Sequence, residues 1–136
     1  MVIDTMTVAE FVKTYRIRMT TTRAESNPKM PDSSSMDHWK CILRRPSHTM
    51  TVFFSMGYGH NGKAPKVADV LDCLASDAAS IDNTRGFEDW CADFGYDSDS
   101  RKAEKTFKAC EHQASRLRNF LEPSLYKELL YSTERL

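Results

Sequence analysis

His38-Trp39-Lys40-Cys41-Ile42-Leu43-Arg44-Arg45-Pro46-Ser47-His48-Thr49-Met50-Thr51-Val52-Phe53-Phe54-Ser55-Met56 is the stretch whose reading decides the fold. Its first part alternates Trp39, Cys41 and Leu43 with His38, Lys40 and Arg44, Ile42 being the exception. A period of two is the mark of a half-buried strand. From Thr49 to Met56 the alternation resumes, with Met50, Val52, Phe54 and Met56 on one face. Arg45-Pro46-Ser47-His48 between the two suits a short turn, so the stretch predicts an antiparallel hairpin. Upstream, Ile17 to Ala24 is rich in threonine and alternates weakly, which predicts a third strand. Ser26 to Asp37 carries Asn27-Pro28, Pro31-Asp32 and the run Ser33-Ser34-Ser35, the composition of a loop.

Helical signals flank the strands. Thr7-Val8-Ala9-Glu10 reads as a capping box that opens a short helix to about Tyr15, burying Val8, Phe11 and Val12. From Val67 the apolar positions Val67, Val70, Leu71, Leu74, Ala75 and Ala78 follow helical spacing. Phe87, Trp90, Cys91 and Phe94 repeat it over two turns, and Gly95 follows as a stop. Asp97-Ser98-Asp99-Ser100 supplies caps for the longest helix, whose stripe is Ala103, Thr106/Phe107, Cys110, Ala114, Leu117 and Leu121. Pro123 breaks it and opens a last short helix with Leu125, Leu129 and Leu130. The expected fold class is α+β, in the order α-β-β-β-α-α-α-α, with helices packed on one face of a small three-stranded antiparallel sheet. One domain is expected over residues 1–136, its sheet part about 17–56 and its helical part about 66–131.

The 136 residues suffice for one continuous core, and the 28% charged content is that of a globular chain. No apolar run approaches a bilayer span, and Met1-Val2-Ile3-Asp4-Thr5-Met6 has neither a basic nor an apolar signal region. A soluble cytoplasmic protein is therefore expected. Cys41, Cys73, Cys91 and Cys110 stand far apart, without the short paired spacing of a zinc site. Cys73, Cys91 and Cys110 are expected on apolar helix stripes as buried thiols.

The motifs that carry chemistry are each incomplete. Gly57-Tyr58-Gly59-His60-Asn61-Gly62-Lys63-Ala64 matches the glycine and lysine spacing of a phosphate-binding loop between a strand and a helix. Ala64 and Pro65 then stand where the magnesium-binding Ser or Thr and a further amide are needed, so contact with an anion is the most this loop implies. His38, His48, His60 and His112 assemble no nucleophile with its base without assumed tertiary contacts. Asp97-Ser98-Asp99-Ser100-Arg101 lacks the glycine and distal glutamate of a calcium loop and reads as a helix cap. No catalytic residue, metal or cofactor is expected.

Charge is segregated beneath a net charge of zero. Residues 67–99 hold Arg85 alone against Asp69, Asp72, Asp77, Asp82, Glu88, Asp89, Asp93, Asp97 and Asp99. Residues 1–66 hold ten Lys/Arg and five Asp/Glu, and residues 100–136 hold eight and five. The acid block is either a solvated helix face or a docking surface for a basic partner. Direct nucleic-acid binding would use the basic ends instead, either Arg16, Arg18, Arg23, Arg44 and Arg45 or the ridge Lys102, Lys105, Lys108.

Several strings resemble small proteins encoded by bacteriophages and prophages. They are Met36-Asp37-His38-Trp39-Lys40-Cys41, Met50 to Ser55 running into Gly57 to Gly62, Asp69 to Ala78, Phe87 to Cys91, and Gly95 to Glu104. Some phage proteins of this size and type are anti-CRISPR inhibitors. The resemblance implies a binding protein that blocks target recognition by a bacterial CRISPR effector complex or another nucleic-acid-binding defence protein. It carries no catalytic residue across. The residues expected to contact the partner are Tyr58, His60, Asp69, Asp72, Asp77, Glu88, Asp89 and Asp93, with no membrane involved. The alternative is a phage accessory protein that binds DNA or RNA through its basic residues; an enzyme dependent on Lys63 ranks third.

Overall fold

A computed structural model describes residues 6–25, 27, 36–57, 63–82 and 85–133. Its elements are α1 (Val8–Thr14), β1 (Arg18–Ala24), β2 (Asp37–Arg45), β3 (His48–Met56), α2 (Val67–Asp82), α3 (Phe87–Phe94) and α4 (Arg101–Thr133). The fold is α+β with one antiparallel sheet, in the order expected, the last expected helix being the part of α4 beyond a break at Glu122. The chain divides into two compact units, residues 1–71 and 72–136.

In the first unit Thr7 caps α1 as expected, though Glu10 reaches back to the Thr7 hydroxyl rather than to its amide. Thr7 Oγ1 accepts from the Glu10 amide at 3.1 Å and donates to the Glu10 carboxylate at 3.1 Å. Of the three apolar side chains of α1 only Phe11 is fully buried, Val8 and Val12 being half-covered. The helix stops at Tyr15 because Arg16 takes a left-handed φ of 55° and turns the chain. The Ile17 amide then donates to Val12 O at 3.0 Å and Arg16 N to Lys13 O at 3.4 Å, closing the helix end.

The sheet order is β1-β2-β3, with β2 central. Cys41 faces Thr21 on one side and Val52 on the other, and Leu43 faces Met19 and Met50. This register puts Trp39, Cys41, Leu43, Met50 and Val52 on one buried face. Burial pushes the Cys41 thiol up to about 11, so it stays protonated and packs as a small apolar group. Pro46 and Ser47 join β2 to β3 in a two-residue turn in which Ser47 carries a φ of 72°. Proline first and a positive φ second is the type II pattern.

In the second unit, Trp90, Cys91 and Ala103 form a buried cluster flanked by Ile81, Phe87, Phe107 and Cys110. The Phe107 ring meets Trp90 edge-on at 5.4 Å and Phe87 at 5.3 Å, the geometry that ring quadrupoles favour. Cys73 departs from the expected pattern: it is exposed, because Leu74, Ala75 and Ala78 take the buried arc of α2 and Cys73 falls beside it. Cys110 is half-buried and Cys91 fully buried.

Helix α4 is broken at Glu122, whose φ of 64° and ψ of 158° lie where almost only glycine settles. The next residue, Pro123, has no amide and clashes with a helical predecessor, which forces the break. Asp82, at the end of α2, ties the two parts of α4 together. Its carboxylate accepts from Tyr126 Oη at 2.6 Å and from Arg118 Nη2 at 3.2 Å, while the Arg118 guanidinium lies 4.8 Å over the Tyr126 ring.

Two outcomes follow from this break. Glu122→Gly is expected to stabilise the protein by on the order of 1 kcal/mol, read as a raised urea midpoint at constant slope, because glycine adopts this backbone without strain. Burial first, then the hydrogen bond and charge of Asp82, push the Tyr126 phenol from 10.0 up to about 12, against the opposing pull of Arg118. The folded state thus holds that proton more tightly than the unfolded one. Its contribution is intact below pH 10 and lost as pH rises through about 12. Urea midpoints from pH 9 upward should fall less steeply in Tyr126→Phe than in the parent; equal slopes would exclude the coupling.

Candidate protein-docking surface

Helix α3 builds its surface from an eight-residue sequence with two roles. Trp90 and Cys91 point into the core, while Glu88, Asp89 and Asp93 are exposed. Phe94, expected on the same apolar stripe as Trp90, is instead 51% exposed. It is the last residue of α3, where cover runs out, and its ring lies 5.4 Å from that of Trp90. Gly95 then takes a φ of 72°, and the Tyr96 amide donates back to Cys91 O at 2.9 Å. That closure folds Tyr96 over Trp90, their rings 5.0 Å apart and 6° from parallel. Tyr96 remains 37% exposed. The result is a ledge of two exposed aromatic rings standing on a buried tryptophan.

Acids surround this ledge. Asp89 and Asp93 stand one helical turn apart, Asp93 adjoins Phe94, and Asp97 adjoins Tyr96. Asp97 Oδ1 accepts from the Asp99 amide at 3.0 Å, and Ser100 Oγ from the Ala103 amide at 3.3 Å, so the segment caps α4 as expected. No lysine or arginine occurs between Arg85 and Arg101. Among the described residues Glu88, Asp89, Asp93, Asp97 and Asp99 form no ion pair, whereas Asp82 is held by Arg118. The local field reaches the core: burial first, then Asp97 and Glu88, push the Cys91 thiol up. Asp97 serves as a cap, and Glu88 and Asp89 lie in the first turn of α3 where negative charge favours the helix, but unpaired acids around exposed rings also suit a partner of opposite charge.

The residues expected from the sequence divide on this geometry. Glu88, Asp89 and Asp93 share α3 with the ledge. Asp69, Asp72 and Asp77 lie on α2, where Asp69 is exposed and the other two half-buried. Asp72 Oδ1 is enclosed, with no hydrogen-bond partner among the described residues. Tyr58 and His60 lie outside the described residues. Phe94 and Tyr96 were missed as surface residues; the signal was Gly95, because a left-handed turn at a helix end folds the following side chain back over the helix.

Among the described residues no group of three His, Cys, Asp or Glu side chains is placed to hold a metal, and no helix is long and apolar enough to cross a membrane. His38 Nδ1 lies 2.7 Å from Ser55 Oγ, which also accepts from Asn27 Nδ2 at 2.8 Å. Asn27 and His38 are buried, so this trio ties the chain after β1 to the end of the sheet. None of the known protein families, curated proteins or solved structures matches this chain.

Thiol chemistry tests the packing of the ledge. In native protein iodoacetamide should label exposed Cys73 first, while Cys41 and Cys91 react only on unfolding. Gly95→Ala should open the Cys91 site to labelling, read by mass spectrometry, because the left-handed turn that seats Tyr96 on Trp90 is then strained. An unchanged labelling rate would mean that Tyr96 does not seal this cluster.

Proposed function

We propose that this chain is a phage- or mobile-element-encoded inhibitor of the anti-CRISPR type, which binds a bacterial CRISPR effector complex and blocks its recognition of target nucleic acid. The observation that carries this reading is the acid-rimmed aromatic ledge. A groove that holds nucleic acid is lined with Lys and Arg, and a negative surface competes for it through the same field. Phe94 and Tyr96 supply what charge alone does not, since aromatic anchors in desolvated pockets carry most of the affinity of a protein interface. Acids around them steer encounter and set specificity. The resemblance of the sequence to small phage proteins points the same way. The mechanism is occlusion, with one inhibitor per groove.

Tagged protein should recover subunits of an effector complex in stoichiometric amount from a nuclease-treated bacterial lysate. With that complex purified, increasing inhibitor should displace labelled target DNA. Phe94→Ser should cost on the order of 2 kcal/mol, roughly thirtyfold in affinity, and the Asp89→Lys, Asp93→Lys pair should abolish displacement. Lys102→Glu with Lys105→Glu should leave it intact. Displacement that survives the ledge variants, or an effector that is not recovered, would sink the proposal.

A further inference from the structure

The face of the sheet opposite its buried one is also exposed, and it has the reverse charge. Three of its four cross-strand rows are Arg18, Arg44 and Thr49; Thr20, Ile42 and Thr51; Thr22, Lys40 and Phe53, while the fourth, Ala24, His38 and Ser55, is engaged by Asn27 and has His38 buried. Arg18, Lys40, Arg44, Thr20, Thr22 and Thr49 are exposed, and Phe53 is half-exposed. The face carries no carboxylate, because Asp37 has the opposite parity on β2 and is held by Arg23 at 2.9 Å.

Folding does not account for this arrangement. Arg18 and Arg44 are direct cross-strand partners, and like charges so placed destabilise a sheet. Neither they nor Lys40 form an ion pair among the described residues; Arg44 Nη1 donates only to Thr20 Oγ1, at 2.9 Å. Two other basic groups are already engaged. Arg23 lies 5.0 Å over Trp39 as well as pairing with Asp37, and Lys108 is paired with Glu104 at 3.0 Å on α4.

We infer that this sheet face binds single-stranded nucleic acid, independently of the acidic ledge. Arg18 and Arg44 at one end and Lys40 at the other lie four residues apart along β2, about 13 Å at strand rise, and take backbone phosphates. Phe53, beside Lys40 in its row, offers a ring on which a base stacks, and the threonine hydroxyls supply neutral hydrogen bonds. A three-stranded face is broader than the helix or two-stranded ribbon that a duplex groove admits, which favours a single strand. The cations and the ring together also favour nucleic acid over an acidic protein, which would need no base platform.

The test is fluorescence anisotropy of a labelled single-stranded oligonucleotide of about a dozen nucleotides, titrated with the full chain over a salt series. Arg18→Ala, Lys40→Ala and Arg44→Ala should each weaken binding and lower the log–log salt slope by about 0.7. Phe53→Ala should weaken binding about tenfold at unchanged slope, and Phe53→Leu, which keeps the apolar bulk, should weaken it similarly. Circular dichroism of each variant should match the parent, the altered side chains being at the surface. Asp89→Lys with Asp93→Lys should not weaken oligonucleotide binding, which separates this face from the inhibitor reading. Absence of binding at low salt would overturn the inference. So would competition by polyglutamate equal to that by oligonucleotide, or loss through Lys102→Glu and Lys105→Glu with the sheet variants unaffected.

Discussion

Strand β2 is paired on both sides, and the first unit depends on that double pairing. Residues 38–44 are each committed at once to a partner on β1 and a partner on β3, so a slip of one position would exchange the two faces of the strand. Trp39, Cys41 and Leu43 would then meet water, and Lys40 and Arg44, now exposed, would be buried. Burying even one unpaired cation costs several kcal/mol, far more than a turn can offset. The register is therefore set by side chains, which lets the Pro46-Ser47 turn tolerate a positive φ at a serine.

The second unit is organised by Trp90. Its ring meets Phe107 edge-on from inside and carries Tyr96 flat on its outer side, so one buried residue both anchors α3 to α4 and supports the surface ledge. Asp82 plays the corresponding part where α4 breaks, binding Arg118 and Tyr126 from either side of Glu122. Both arrangements place charge where it serves one purpose at a time. The Asp82 carboxylate is engaged internally, while those of Asp89 and Asp93 remain available outside.

The two exposed surfaces differ in sign, and each lies within one unit: carboxylates around aromatic rings in residues 72–136, and arginine and lysine on the sheet in residues 1–71.

Much of this was legible in the residues because it depends on local rules. The alternation of Trp39, Cys41 and Leu43 marked a strand, Thr7 and Glu10 marked a helix start, and Pro123 marked a break; each works within a few residues of itself. The acid block was legible as composition, and Glu88, Asp89 and Asp93 emerged at the surface as amphipathic spacing requires. Phe94 and Cys73 were misplaced because helical spacing gives an angle around the axis and not what lies opposite it. Phe94 sits at the helix end, where cover runs out, and Cys73 falls beside the arc that Leu74 and Ala75 occupy. Which arginines share a face, and that Tyr96 stacks on Trp90, was decided only by tertiary structure. Register joins residues some twenty positions apart, and ring stacking depends on how a turn closes, so neither is written in any single stretch of chain.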